Sequence, residues 1–215
     1  MKEQLTYIVY TDFDGTITVE DIGDKLFQHF GDGKECLRNF KLYTEGKVSA
    51  RDCWKNSCKT LRSVSQSEFI DFAVQQEIDR YFPSFIKYCE EKNIPVQILS
   101  DGFDAYIDPI LAQNGYGALP RFCNTLQFHS DGTIEPHFPF TDSECIQCAN
   151  CKRNHLLSRT SDSQVIVYIG DGYSDRCPVQ FADIVFAKNS LVAYCEAQNI
   201  TYHRFVTFYD VLSVF

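Results

Sequence analysis

The chain has 215 residues, 44% of them hydrophobic and 14% aromatic, which is enough apolar mass for a substantial core with room for a subdomain. Its formal charge is −9 and no basic cluster exceeds Lys152-Arg153, which speaks against nucleic acid as a partner, because phosphate backbones are held by Lys and Arg clusters. No stretch approaches the roughly 18 consecutive apolar residues of a membrane span, Met1–Gln4 does not open a signal peptide, and the ten cysteines therefore read as reduced thiols of a cytoplasmic protein.

The first element is a strand, Leu5–Tyr10, rich in β-branched and aromatic residues and followed directly by Asp12-Phe13-Asp14-Gly15-Thr16. Period-2 alternation turns Asp12 and Asp14 to one side and Phe13 into the core. From about Glu20 to Ile78 the pattern is helical. Ile22, Leu26 and Phe30 mark one helix, stopped by Gly31 and Gly33; Cys36, Leu37, Phe40 and Tyr43 mark a second, ended by Gly46. Ser49 is placed to cap a third through Trp54 to Leu61, and Ser65 or Ser67 a fourth carrying Phe69, Phe72 and Ala73. Such an all-helical insert, 18–81, reads as a cap over the ends of a sheet whose core comprises 1–17 and 82–215.

Beyond Phe82 helices and strands alternate. A helix with Phe85, Ile86, Tyr88 and Cys89 precedes the buried strand Ile94–Leu99, after which come Ser100, Asp101 and Gly102. A helix from Asp104 to Asn114 leads to a hairpin, Arg121–His129 and Thr133–Phe138, turning at Ser130-Asp131-Gly132. Asn154–Ser158 is helical, and Val165–Ile169 is the most apolar strand of the chain, ending in Gly170-Asp171-Gly172-Tyr173-Ser174-Asp175. A strand at Ile184–Ala187, a helix around Leu191–Ala197 and an amphipathic terminal segment complete an α/β pattern, a Rossmann-like parallel sheet with right-handed crossovers.

Three strand ends thus carry polar clusters, and in a parallel sheet those ends share one edge, where α/β folds bind ligands. Asp12 and Asp14 repel each other unless a cation lies between them or one takes a proton. With Ser100, the Asp171/Asp175 pair and Lys152, which opens the helix before the last of these strands, the set suits phosphoryl transfer, where catalysis is mostly positioning and charge neutralisation. Taken singly the features are bland. Acidic residues fill turns, Ser100 could be a helix N-cap, Asp101 and Asp104 could cap the next helix, and a lone lysine is usually solvated.

The run Asp12-Phe13-Asp14-Gly15-Thr16, Ser100 after a buried strand, Lys152 and Gly170–Asp175, in this order, resemble the four motifs of the haloacid dehalogenase superfamily phosphatases. The resemblance implies a HAD-like core and hydrolysis of a small phosphomonoester through an aspartyl-phosphate. It implies Asp12 as nucleophile, Asp14 as acid and base assisted by Thr16, and Ser100 and Lys152 on the phosphoryl oxygens. Mg²⁺ would lie on Asp12, Asp171 and the Asp14 backbone carbonyl, supported by Asp175. Asp101, Gly102 and, in the cap, Asp21 are further candidates for substrate contact. A helical cap directly after the first motif is similar to that of phosphatases acting on phosphoserine, on 2-hydroxy-3-keto-5-methylthiopentenyl-1-phosphate of methionine salvage, and on phosphoethanolamine or phosphocholine. The last two also have cysteines just before the motif lysine. Here these are Cys145, Cys148 and Cys151, whose spacing suits either zinc, with Cys123, His137 or His155 as a fourth ligand, or a reduced cysteine-lined loop. The same core could serve a phosphotransferase, and a non-catalytic phosphate-binding regulator would be expected to have lost Asp12 or Asp14.

Overall fold

The computed structural model describes residues 6–61 and 64–215. Leu5, expected to begin the first strand, lies outside them; the strand, β1, runs Thr6–Thr11. It is followed by four helices, α1 (Ile22–Phe30), α2 (Gly33–Thr44), α3 (Ala50–Cys58) and α4 (Gln66–Ala73). Each begins where a short polar side chain takes up an orphan backbone N–H: Asp21, Asp32, Ser49 and Ser65, the last in a reciprocal capping box with Glu68. The third helix stops at Cys58, three residues before the expected Leu61. The chain enters and leaves this segment through one antiparallel neck, Thr18 against Ile78, with Val19 N donating to Glu77 O and Asp79 N to Ile17 O.

After the neck come α5 (Phe82–Glu91), β2 (Val96–Phe103), α6 (Asp104–Gln113), the hairpin β3 (Arg121–Phe128) and β4 (Ile134–His137), α7 (Lys152–Arg159) and β5 (Gln164–Gly170). The chain closes with β6 (Ile184–Ala187), α8 (Asn189–Gln198), the two-residue strand β7 (His203–Arg204) and α9 (Phe208–Leu212). The expected single amphipathic terminal segment is therefore split between an edge strand and a short helix.

The described strands form one sheet in the order β4-β3-β2-β1-β5-β6-β7, parallel except for the hairpin. β1 is central, paired with β2 on one side and β5 on the other, so successive crossovers leave it in opposite directions and open a crevice at its C-terminal end. Alternation packs both faces: Val9, Ile98, Val167 and Ile169 go to one core, Ile8, Tyr10, Leu99 and Tyr168 to the other. One difference from the sequence reading touches the site. β2 does not end at Leu99 but continues through Ser100, Asp101 and Gly102 to Phe103, with its register against β3 shifting between Leu99 and Phe103. Side-chain amides keep this polar stretch extended: Asn150 Nδ2 donates to Ser100 O, and Asn124 Nδ2 to Asp101 O.

Candidate active site

The crevice at the end of β1 opens into a cavity of about 330 Å³ between the sheet edge and α1–α3. Asp12, Asp14, Ser100, Asp101, Gly102 and Asp171 line its floor, and Asp21 and Asp24 lie on the helical side with Phe27, Phe40, Tyr43 and Trp54.

Lys152, the first residue of α7, is 2% exposed, and its Nζ spends all three protons. It donates to Asp12 Oδ1 at 2.7 Å, Asp175 Oδ1 at 2.7 Å and Ser174 Oγ at 3.1 Å. Burial pulls the ammonium down, but the facing Asp12 and Asp175 carboxylates hold its pKa above the ordinary lysine value. Asp175, fully buried, also accepts from Tyr168 Oη at 2.6 Å and from the Asp171 and Gly172 amides at 3.0 Å each. Both of its oxygens are therefore fully engaged, and it acts on the site through Lys152 and the backbone around Asp171.

Among the described residues, the one grouping of three or more His, Cys, Asp or Glu with ligand atoms in reach of a common ion is Asp12, Asp171 and Asp175, with oxygens within 4.8 Å of one another. Burial, reinforced by Asp175, pushes Asp12 well above the usual carboxylate range against the pull of Lys152; burial and Asp175 likewise push Asp171 up to about 6. Three carboxylates facing one ammonium leave excess negative charge in an oxygen-only setting, which fits a hard divalent cation. Gly15, at φ +66°, lets the loop after β1 close over Asp171, since a Cβ there would sit 2.8 Å from Asp171 Oδ2. The Cys145, Cys148 and Cys151 thiols make no such grouping. Cys145 Sγ instead donates to Cys148 Sγ at 3.3 Å, and His155, a candidate fourth ligand, is engaged with Asn150 Oδ1 at 2.9 Å.

Asp14 stands apart from the carboxylate cluster. Its Oδ1 accepts from the Ile22 and Gly23 amides at the start of α1, at 3.2 and 3.3 Å. Its Oδ2 accepts from Tyr106 Oη at 2.6 Å and Ser100 Oγ at 3.4 Å. Burial raises its pKa, and the Tyr106 hydroxyl and the Gly23 and Ile22 amides work against the rise.

Several expected partnerships are different. Thr16 does not meet Asp14; its hydroxyl donates to Asp171 Oδ1 at 3.5 Å, while Asn189 Nδ2 donates to Asp171 Oδ2 at 3.0 Å. Asp101 and Asp104 do not cap α6, whose N-terminal residue has no side-chain cap. Asp101 Oδ1 accepts from Asn150 N and Asp104 Oδ1 from Leu126 N, because the extension of β2 through Phe103 turns both carboxylates to neighbouring backbone. Asp21 lines the cavity and also caps α1, accepting from Asp24 N at 2.8 Å. Tyr106, Asn150, Tyr168 and Asn189 were not singled out in the sequence. Buried aromatic and amide side chains look like core or turn until the fold brings their distant partners to them.

Comparison with known proteins agrees with this geometry. A family model described as haloacid dehalogenase-like hydrolase matches residues 9–177. The chain is 28% identical to a 2-hydroxy-3-keto-5-methylthiopentenyl-1-phosphate phosphatase of Lysinibacillus sphaericus, covering 96% of this chain and 92% of that protein. It is also 28% identical to a polyol phosphate phosphatase of Saccharomyces cerevisiae, over 96% and 91% of the two chains. A solved phosphoserine phosphatase, captured as a phospho-aspartyl intermediate analogue, superposes with a TM-score of 0.75 over 98% of this chain and 99% of that one, at 16% identity, a likeness of fold. With Asp12, Asp14, Ser100, Lys152 and Asp171 gathered at one sheet edge and the family model spanning that whole constellation, the chain belongs to the haloacid dehalogenase-like hydrolases.

Proposed function

We propose that the protein is a Mg²⁺-dependent phosphomonoesterase that works through an aspartyl-phosphate, with the helical segment 18–81 as a cap on an α/β core of 1–17 and 82–215. What supports this most is the buried Lys152 behind the cavity floor, which joins Asp175 to Asp12, a carboxylate that lines that floor with Asp14, Ser100 and Asp171. Asp12, Asp171 and the Asp14 carbonyl would hold the ion, which when bound offsets phosphate charge and lets a carboxylate approach it. Asp175 supports that site without ligating.

Asp12 attacks phosphorus as the bond to the leaving oxygen breaks, and Asp14 gives its proton to that oxygen. Asp14 then takes a proton from water as the water oxygen attacks phosphorus, which frees inorganic phosphate and restores Asp12. Ser100 and Lys152 hold phosphoryl oxygens; of the three Lys152 contacts the longest, to Ser174 at 3.1 Å, is the one that gives way. Thr16 steadies Asp171, and the cap excludes bulk water during the first half-reaction.

The cavity favours an uncharged leaving group. Its helical wall pairs Phe27, Phe40, Tyr43 and Trp54 with the Asp21 and Asp24 carboxylates, and among the described lining residues Arg176 is the single cation. A leaving group with its own carboxylate, as in phosphoserine, would face that acidic rim. A hydroxylated or keto chain with an apolar tail suits it, in keeping with the names of the methylthiopentenyl-phosphate and polyol-phosphate relatives. Asp21 and Asp24 favour a second reading, phosphoethanolamine or phosphocholine, whose leaving groups are cationic. The ten thiols, none in a disulfide, suit a cytoplasmic enzyme.

The test is phosphate release from a panel of these esters with Mg²⁺, beside Asp12→Asn, with alcohols present to detect transfer to an acceptor other than water. Loss of turnover in Asp12→Asn with the fold retained is expected; full activity in that variant would refute the nucleophile.

A further inference from the structure

We infer that Tyr106 is a positioning residue for the acid–base carboxylate, holding Asp14 Oδ2 toward the leaving oxygen. The inference rests on the reading of Asp14 above and deepens it.

Asp14 is held on two sides with different chemistry. On Oδ1 the two amides of α1 take up the lone pairs, which leaves Oδ2 as the oxygen to face a leaving group. There the donors are Tyr106 at 2.6 Å and Ser100 at 3.4 Å. Ser100 Oγ already accepts from Gly102 N at 2.9 Å, and its hydroxyl turns to the phosphoryl group when substrate binds. Tyr106 is then the side chain that still holds Oδ2, with one lone pair of that oxygen left for the cavity.

The surroundings are built for this contact. Tyr106 is fully buried on α6, its ring against Phe13, the residue between the two catalytic aspartates, with centroids 6.4 Å apart. Its hydroxyl reaches Asp14 across the backbone of Gly102, where a Cβ would stand 1.7 Å from the Tyr106 oxygen and 2.7 Å from Asp14 Oδ2. On the other side a Cβ at Gly23 would stand 3.2 Å from the same hydroxyl. Two chain segments therefore leave room for one phenol, and Gly102, first noted as a substrate contact, has a second reason to be glycine.

The chemistry separates this role from simple packing. An alkoxide leaving group needs the Asp14 proton, whereas p-nitrophenolate departs without it; the aspartyl-phosphate, the same from either ester, needs Asp14 as base for hydrolysis. Tyr106→Phe removes the hydroxyl and keeps the ring. On an alkyl phosphomonoester kcat should fall by about tenfold to a hundredfold with KM changed by less than about twofold. On p-nitrophenyl phosphate the variant should release a burst of about one equivalent of nitrophenolate per enzyme and then turn over slowly, because the second half-reaction is the step left impaired. Equal losses on both substrates without a burst, or no loss on either, would overturn the inference. Asp14→Asn run beside it must show the same leaving-group dependence; if it does not, the assignment of Asp14 fails and not merely that of Tyr106. Should Tyr106→Phe not fold, Gly102→Ala, which forces the hydroxyl and Asp14 Oδ2 apart, must give the same pattern, and wild-type behaviour there counts against the role.

Discussion

Asp101 has its carboxylate where ionisation is costly. Burial, opposed by Lys152 and the Asn150 amide, pushes its pKa from 3.8 up to about 6. The folded protein thus binds this proton more tightly than the unfolded chain does. The resulting penalty on the native state is fully present above about pH 6 and is relieved as pH falls toward about 4; it amounts to at most about 3 kcal/mol, less where solvent reaches the group. Asp101→Asn keeps an acceptor for Asn150 N but carries no charge. Denaturant unfolding across this range should find the variant more stable than wild type near pH 8 and the two converging near pH 4. A difference that does not vary with pH would assign the effect to packing. At this scale the sequence disclosed which polar groups gather at the crevice but not their partners. Asp12, Asp14, Ser100 and Asp171 were legible because each follows an apolar strand pattern, and Lys152 through its place in order between the Ser100 and Asp171 clusters. Tyr106 and Thr16 were missed or misassigned because a hydrogen bond such as Tyr106 to Asp14 joins residues with no shared local pattern.

The helices of the insert show how one residue type serves two ends. Asp21 and Asp32 both cap helix N-termini, Asp21 on Asp24 N and Asp32 on the Lys34 and Glu35 amides. Asp21 also faces the cavity, where burial first and then the Asp14 carboxylate push its pKa well up. Asp32→Ala should therefore cost about 1 kcal/mol of stability, the usual worth of such a cap, and leave kinetics alone. Asp21→Ala loses a cap but also removes a carboxylate crowded by those of Asp14 and Asp24, so its stability loss should be smaller, while KM shifts for cationic and hydroxylated substrates. Thermal unfolding and steady-state kinetics on both variants check this; unchanged KM in Asp21→Ala would remove Asp21 from the substrate wall. Helix starts were readable at Ser49 and Ser65 because capping is local. The end of β2 was not, since Ser100–Phe103 has little apolar character of its own and stays extended through Asn124 and Asn150, which lie far along the chain.

Over the whole molecule, sheet order decides which charges meet. β1 and β5 are neighbours in register from Thr6 with Gln164 to Thr11 with Ile169, which puts Asp12 opposite Gly170, and Asp171, the next residue, brings its carboxylate within 4.8 Å of that of Asp12. No unfolded chain keeps that arrangement, and an ion held by both carboxylates binds the native state alone. If Mg²⁺ is that ion, mass action would stabilise the protein by about 2.7 kcal/mol at a Mg²⁺ concentration a hundredfold above Kd. Chelation should lower Tm, and Mg²⁺ should restore it. Asp171→Asn sharpens the expectation because it acts in opposite senses on the two states. Without metal it removes one of the repelling carboxylates and should unfold at a higher temperature than wild type; with Mg²⁺ it lacks a ligand and should gain little, so the order of stability reverses. The Lys152 bridge to Asp12 and Asp175 stays intact in this variant, which separates the metal from the buried ion pairs. An undiminished Mg²⁺ response in Asp171→Asn would show that the ion binds elsewhere, and equal stability of the two proteins in chelator would show that the strand-end carboxylates do not strain the fold.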